Sequence, residues 1–283
     1  MLLDSFWIGG LWGILGLCLG SFLNVVVARL PVMMAQRWHA EACEALSMPE
    51  EAPTEPFNLA VPASHCPHCQ TPLRWHDNLP LIGYLKRRGR CAHCQGPISM
   101  QYPLVELAGG LLGLVVWWWQ GSHLMSLALF GACLALLALA LIDARTQLLP
   151  DALTLPLLWA GLLFQLCFQP WQLSTAVIGA MSGYLSLWSL YWAFRLLTGK
   201  EGLGYGDFKL LAALGAWLGW QVLPLLLLWA AAAGIVIGGL WQWRHPDQRG
   251  QHLPFGPYLA GAGILFLITG DAIMQSYARW IFG

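Results

Sequence analysis

Charged residues are scarce in this chain. Asp, Glu, Lys and Arg make up only 10% of its 283 residues, whereas 58% are hydrophobic. Soluble domains carry about 25% charged residues, so the composition excludes an ordinary soluble domain with a large core. The formal net charge is zero, so overall charge favours neither a nucleic acid nor an acidic partner. The composition predicts an all-α polytopic membrane protein.

Two further features are missing from the sequence. The first apolar stretch lacks a basic flank and is followed by Asn24 and Arg29, not by a small-residue cleavage site, so no cleavable signal peptide is expected. There is also no glycine-rich strand–turn–helix fingerprint of a soluble nucleotide-binding domain.

Eight apolar runs are present, and crossing a membrane takes about 20 residues. We therefore expect about eight transmembrane helices in three parts: a first helix over 1–28, a polar loop or domain over 29–102, and a transmembrane domain over 103–283. The sixth run is short, and a tilted helix, a re-entrant helix and a continuation of the seventh run are all open. The runs are 5–28, 103–121, 124–142, 152–169, 174–197, 208–220, 221–243 and 257–281.

The basic residues indicate the orientation. Seven of the fourteen Lys and Arg lie in the 29–102 loop, and six more fall in loops on the same side of an eight-span arrangement. Basic residues concentrate in cytoplasmic loops, so we expect the 29–102 loop in the cytoplasm and both termini outside. The first group is Arg29, Arg37, Arg74, Lys86, Arg87, Arg88 and Arg90; the second is Arg145, Arg195, Lys200, Lys209, Arg244 and Arg249; only Arg279 lies outside.

The polar loop contains two Cys-x-x-Cys knuckles in matching contexts. They are HCPHCQTPL, with Cys66 and Cys69, and RCAHCQGPI, with Cys91 and Cys94. Two such knuckles are typical of a four-cysteine Zn²⁺ site, and a site without an open position is structural. A redox pair is the alternative, but it needs one motif and not two. The first part of the loop, roughly 40–60, is rich in Glu, Pro and Ala and is expected to be irregular.

Two acids, Asp143 and Asp207, stand at the ends of apolar segments. Ionisable groups beside the bilayer core are costly and usually carry function. At one membrane depth, two carboxyl groups predict an aspartyl peptidase dyad, one serving as base and the other as acid. For Asp207 the alternative is a helix cap after a glycine-rich connection, and for Asp143 it is an interfacial pair with Arg145. The glycines at 202, 204 and 206 allow close backbone approach and unusual backbone angles just before the helix.

Six ordered motifs give the chain a resemblance to bacterial type IV prepilin peptidases, the bifunctional leader peptidase/N-methyltransferases of type IV pilus and type II secretion systems. The motifs are GSFLNVVVARLP (20–31), the paired knuckles, ISMQYPLVELAGG (98–110), LIDARTQLLPD (141–151), GLGYGDFKLLAALG (202–215) and LPFGPYLA (253–260).

The resemblance implies an activity and its site. It places the catalytic aspartates at Asp143 and Asp207. It implies cleavage of the short basic leader of a prepilin or pseudopilin after a Gly, at the cytoplasmic face of the inner membrane. It also implies methylation of the new N-terminal residue from S-adenosylmethionine, with Zn²⁺ as the other cofactor. The expected partners are these substrates and membrane lipid, with no nucleic acid.

Four other residues have open roles. Glu106 is an acid in an apolar segment, suited to contact the methyl donor or the substrate amine, or to a structural hydrogen bond. For Asn24 we expect bonding between helices. Lys209 is either a neighbour that tunes Asp207 or a cytoplasmic anchor, and Asp151 is expected to be a helix N-cap.

Two other classes of function compete with the peptidase. Intramembrane acids also mark transporters, but here the acids are few and no inverted repeat is apparent. A membrane-anchored zinc-ribbon adaptor is the second alternative, supported by the basic run at 86–90. That run serves equally as a topology determinant or a contact for anionic lipid.

Overall fold

The structure is a computed structural model that describes residues 2–48, 56–121, 123–200, 202–244 and 253–282. Within these ranges the chain is helical and has no strand beyond two isolated bridges in the polar loop. Arg249 and part of the 40–60 stretch lie outside the described residues.

The described part of the chain contains ten α-helices. Each predicted apolar run contains helix, and six helical stretches are long and apolar enough to cross a membrane. A π-helical turn, Gly234–Gly238, joins α8 to α9. The helices are α1 Leu2–Ala45, α2 Ile82–Lys86, α3 Gln101–Gln120, α4 Leu124–Thr146, α5 Asp151–Phe168, α6 Leu173–Thr198, α7 Tyr205–Leu218, α8 Leu223–Ala233, α9 Gly239–Arg244 and α10 Gly256–Phe282.

The sixth apolar run forms a separate short helix. The 14 residues of α7 reach about 21 Å, which is less than the hydrocarbon thickness of about 30 Å. Gly219 follows it with a φ of 80°, a left-handed conformation that glycine adopts without steric cost, and the chain turns there. Hence α7 is not continuous with α8, and the total of eight spans stays a prediction.

The first helix runs well past its apolar segment. It passes through Pro31 and ends at Ala45, where we had expected irregular structure from about residue 40. Residues 33–45 are mostly good helix formers such as Met, Ala, Gln, Arg and Glu, and their propensity explains the extension. Within the same helix, the Arg29 guanidinium donates to the carbonyl oxygens of Asn58 at 2.9 Å and Pro62 at 2.7 Å. These hydrogen bonds order part of the loop.

The helices fall into two compact units, Met1–Trp118 and Trp119–Gly283. In the first unit, α1 and α3 approach closely at two glycines. The approach is so close that a Cβ on Gly16 would overlap the Gly109 carbonyl. Such small-residue contacts are a common means of helix association in membranes. Asn24, 5% exposed, donates to the Tyr102 carbonyl oxygen at 3.1 Å. The expected helix–helix bond is therefore present.

The second unit is built around α7, which packs against α5, α6 and α10. Its residues from Asp207 to Trp217 are almost all buried. Glycines again allow contact, since a Cβ on Gly179 of α6 would overlap the Gly215 carbonyl of α7. Large apolar side chains such as Leu163 and Leu228 are instead exposed on the outer helices. In a membrane these faces contact lipid and need no protein partner.

Candidate active site and metal centre

Asp143 lies in the last turn of α4 with only 6% of its surface exposed. Its carboxyl group accepts a hydrogen bond from the backbone N–H of Gly256, the first residue of α10. The contact is tight, because a Cβ on Gly256 would lie 2.5 Å from Asp143 Oδ2. The start of α10 therefore fixes the orientation of this carboxyl group.

Asp207 is the third residue of α7 and is 7% exposed. Its carboxyl group accepts a hydrogen bond from the N–H of Gly204, the N-cap residue. This is the return contact of a capping box, in which the third helical side chain satisfies the N-cap amide. The N-cap position therefore belongs to Gly204, and Asp207 is the third residue of the helix, with its carboxyl group facing the N-cap amide.

Both carboxyl groups line one cavity of about 510 Å³. The cavity lies where α4 ends and where α5, α7 and α10 begin, and the charges of the two aspartates interact across it. Leu148, Leu149, Leu203, Tyr205, Leu253 and Phe255 supply much of its lining. An apolar cavity with a few convergent polar groups is typical of a substrate site.

The glycines before α7 act through close packing. A Cβ on Gly206 would lie 2.7 Å from the Cβ of Leu149, so this glycine lets the α4–α5 connection contact α7. Gly202, Gly204 and Gly206 all line the cavity, and unusual backbone angles are absent at the last two: Gly204 has φ −81° and ψ 145°, and Gly206 is helical.

Lys209 and Asp151 form an ion pair at the edge of the cavity. Lys209 Nζ lies 2.7 Å from each carboxylate oxygen of Asp151. Asp151 is the first residue of α5, and Pro150 holds the N-cap position, so the predicted N-cap role for Asp151 was wrong by one residue. An acid in the first helical turn still faces the positive end of the helix dipole.

The four loop cysteines come together. All four Sγ atoms lie within 4.8 Å of one another, with Cys66 to Cys94 at 3.8 Å and Cys69 to Cys91 at 3.9 Å. Four sulfurs around Zn²⁺ at about 2.3 Å define a tetrahedron with edges of roughly 3.8 Å. The donor set and its spacing therefore fit a tetrahedral metal ion.

The two knuckles share one backbone design. His65 bridges to Pro72, and Arg90 bridges to Pro97. In each knuckle a Gln, Gln70 or Gln95, has a positive φ and donates its N–H to the carbonyl of the first cysteine. His68 and His93, inside the knuckles, are exposed turn residues. The sequence repeat is therefore a structural repeat.

Hydrogen bonds favour the thiolate form of two of the four cysteines. The side chain and backbone of Thr71 lower the pKa of Cys69 to about 6. Backbone N–H groups of Cys94 and His93 lower the pKa of Cys91. A backbone hydrogen bond from Gly96 acts in the same direction on Cys94, but burial and the neighbouring sulfurs outweigh it and raise that pKa to about 11. A bound divalent cation would offset the repulsion between neighbouring thiolates, and thiols that bind a metal ion are deprotonated.

Glu106 connects α3 to the cysteine loop. It is 9% exposed and accepts a hydrogen bond from the N–H of Leu81 at 2.8 Å. Leu81 precedes α2, and within the loop Arg87 donates to both carboxylate oxygens of Asp77 at 2.8 and 3.1 Å. The contact with Arg87 lowers the pKa of Asp77. For Glu106, the structural hydrogen bond is therefore the contact present.

Three of these contacts were not predicted from the sequence: Gly256 to Asp143, Lys209 to Asp151, and Arg87 to Asp77. The first has a visible signal in the Pro-Phe-Gly-Pro run at 254–257. The other two join residues whose charges gave no indication of which partner each would take.

Replacing Gly256 with Ala is expected to lower activity at this site by about tenfold or more. The added methyl group would overlap Asp143 Oδ2, and misplacement of a reacting group by about 1 Å costs up to about 10²-fold in rate. The check is the rate of peptide-bond hydrolysis by the purified variant. A Gly261→Ala variant, where the added methyl meets nothing within 4 Å, is the control. Equal activity in both variants would contradict a fixed Asp143 carboxyl.

The chain matches two family models and several relatives closely. Residues 14–120 match the bacterial peptidase A24 N-terminal domain, and residues 129–239 match the type IV leader peptidase family. A protein of Stutzerimonas stutzeri is 50% identical over 94% of this chain and 92% of its own length. One of Aeromonas hydrophila is 53% identical, over 92% and 90%, and one of Dickeya chrysanthemi is 52% identical, over 90% of each.

All three relatives carry the name prepilin leader peptidase/N-methyltransferase. No solved structure matches the chain. Identity of about one residue in two over nine tenths of both partners leaves no doubt about kinship. The chain belongs to the type IV leader peptidase family.

Proposed function

We propose that this protein is a membrane-embedded aspartyl peptidase that removes the leader of type IV prepilins or pseudopilins and then N-methylates the new N-terminus. The observation that carries the proposal is the pair of buried carboxyl groups, Asp143 and Asp207, lining one cavity. The names of the relatives support both activities.

The two aspartates divide the work of peptide hydrolysis. One carboxylate takes a proton from a water molecule, whose oxygen attacks the scissile carbonyl carbon, while the other carboxyl, protonated, donates a hydrogen bond to the carbonyl oxygen. When the tetrahedral intermediate collapses, a carboxyl proton goes to the leaving amine. Two carboxyl groups that interact do not both ionise readily, which provides one acid and one base.

The substrate and its orientation follow from the distribution of charge. With the 29–102 loop in the cytoplasm, the cavity faces the cytoplasm of a multi-pass inner-membrane protein. A prepilin whose apolar helix lies in the lipid presents its basic leader and the Gly before the cleavage site on that side. Membrane lipid surrounds the outer helices, and no nucleic acid is involved.

The proposal includes two cofactors, a Zn²⁺ ion for the loop and S-adenosylmethionine for methylation. Cys66, Cys69, Cys91 and Cys94 would hold a structural Zn²⁺, which would fold a loop with little apolar core of its own. S-adenosylmethionine would supply the methyl group. In this division the loop over 29–102 is the metal-binding domain, and residues 103–283 contain the peptidase.

The transporter and adaptor alternatives have less support. The relatives have the names of enzymes, and the similarity extends over about nine tenths of their length. The basic run that favoured an adaptor contributes Arg87 to an ion pair within the loop, so at least this residue has a structural partner.

Incubation of the purified protein with a prepilin and S-adenosylmethionine tests the proposal. Mass spectrometry of the product N-terminus should show loss of the leader and a gain of one methyl mass. Cleavage without the methyl mass would leave a peptidase alone, and no cleavage by folded protein would overturn the proposal.

A further inference from the structure

A cation lies beside the aspartate pair but is held by a third acid. Lys209 is two residues after Asp207 on α7, and both side chains line the same cavity. In the structure the Lys209 ammonium group contacts Asp151, at 2.7 Å from each carboxylate oxygen. Asp151 therefore determines where this positive charge sits.

The pair is only partly shielded from solvent. The Lys209 side chain is 32% exposed and that of Asp151 is 54% exposed. Ion pairs this exposed contribute little to stability, and their loss corresponds to no more than about a fivefold change in an equilibrium. The helices α5 and α7, which carry Asp151 and Lys209, also pack against each other, so the ion pair is not the sole contact between them.

Without Asp151, two other carboxyl groups would remain in the lining of the cavity that contains Lys209. Its four-carbon side chain is flexible and ends in a compact charge. Asp143 and Asp207 line the same cavity as Lys209 and carry the nearest remaining carboxyl groups in that lining. An ammonium group within about 4–6 Å of a carboxyl group favours the ionised form.

Movement of the Lys209 ammonium group toward the two aspartates would slow the proposed hydrolysis. Hydrolysis needs one protonated and one ionised carboxyl group at the same time. A cation between them would favour the doubly ionised state and remove the proton that the scissile carbonyl requires. The position of the Lys209 charge therefore matters for turnover more than the strength of its ion pair.

We propose that Asp151 is a positioning residue that keeps the Lys209 ammonium group away from the Asp143–Asp207 pair. This inference rests on the proposed function, because it takes these two aspartates as the acid and the base. It separates the two members of the ion pair: loss of Asp151 releases a cation into the cavity, whereas loss of Lys209 removes that cation.

A set of variants in the leader-cleavage assay tests the inference. Asp151→Asn should lower kcat at least tenfold with little change in KM, because the substrate surface remains and the proton distribution changes. Lys209→Met should lower kcat by no more than about fivefold. The double variant should recover to the level of Lys209→Met. Asp151→Glu, which keeps a carboxylate for Lys209, should stay close to wild type.

Other outcomes overturn the inference. If Asp151→Asn, Lys209→Met and the double variant are impaired equally, the pair is only a tether between α5 and α7. If Asp151→Asn has the wild-type kcat, then catalysis does not require Asp151 to position the Lys209 ammonium group. Lys200→Met, which removes an exposed cation outside the cavity lining, is the control. Asp143→Asn in the same series separates the two ideas: full cleavage by that variant would remove Asp143 from the mechanism and with it the premise of this inference, whereas no cleavage by folded wild-type protein would refute the proposed function itself.

Discussion

Replacing Asp143 or Asp207 with Asn is expected to abolish leader cleavage while the protein stays folded in the membrane. Asn has nearly the same shape, and its side-chain oxygen still accepts the hydrogen bond that Gly256 or Gly204 donates. It cannot take or give a proton as a carboxyl group does. General acid–base catalysis contributes about 10²–10⁴-fold for each group, so each variant should lose at least about a hundredfold in kcat.

The measurement is the rate of leader release, read by mass spectrometry, together with the elution volume of each purified variant in detergent. Glu44→Gln is a matched control, because Glu44 is an exposed acid at the end of α1, outside the cavity lining. A folded variant that cleaves at the wild-type rate would remove that aspartate from the mechanism. An aggregated variant calls for Asp→Glu, which keeps the acid and should retain part of the activity.

The sequence was sufficient to bring Asp143 and Asp207 forward, for a physical reason. Charge is so rare here that an acid at the end of an apolar run is conspicuous. The cysteine cluster was predictable for a similar reason, because four ligands in two short repeats define their own geometry. In both cases the residue type restricts the possible chemistry.

Other features depend on contacts that residue type does not specify. The extension of α1 to Ala45 follows from helix propensity, a weak signal that the Pro and Glu content obscured. Gly256 acts through its backbone amide, which every residue except proline has, so only its lack of a side chain distinguished it. The partner of Lys209 was a choice among several nearby acids, and the fold made that choice.

Replacing Cys66 or Cys91 with Ser is expected to remove most of the bound zinc and to destabilise the loop. Each knuckle supplies one thiolate to each close sulfur contact, Cys66 with Cys94 and Cys69 with Cys91, so one metal ion would bridge both knuckles. Structural zinc supplies about 10–16 kcal/mol of binding free energy in small domains that fold around it. Elemental analysis should fall from about one zinc per chain to well below half.

The same cysteine variants also test whether the two activities are separable. Asp143, Asp207 and their cavity lie in the Trp119–Gly283 unit, whereas all four cysteines lie in the Met1–Trp118 unit. We expect methylation to depend on the loop separately from cleavage, because the acidic pair lies outside the loop. Methylation should then fall with zinc content more steeply than cleavage does, and Cys18→Ser, at an exposed cysteine outside the cluster, should change neither. Unchanged zinc would refute the four-cysteine site. Parallel loss of both activities across all loop variants would mean that the peptidase cavity depends on the folded loop, and that the two units do not work independently.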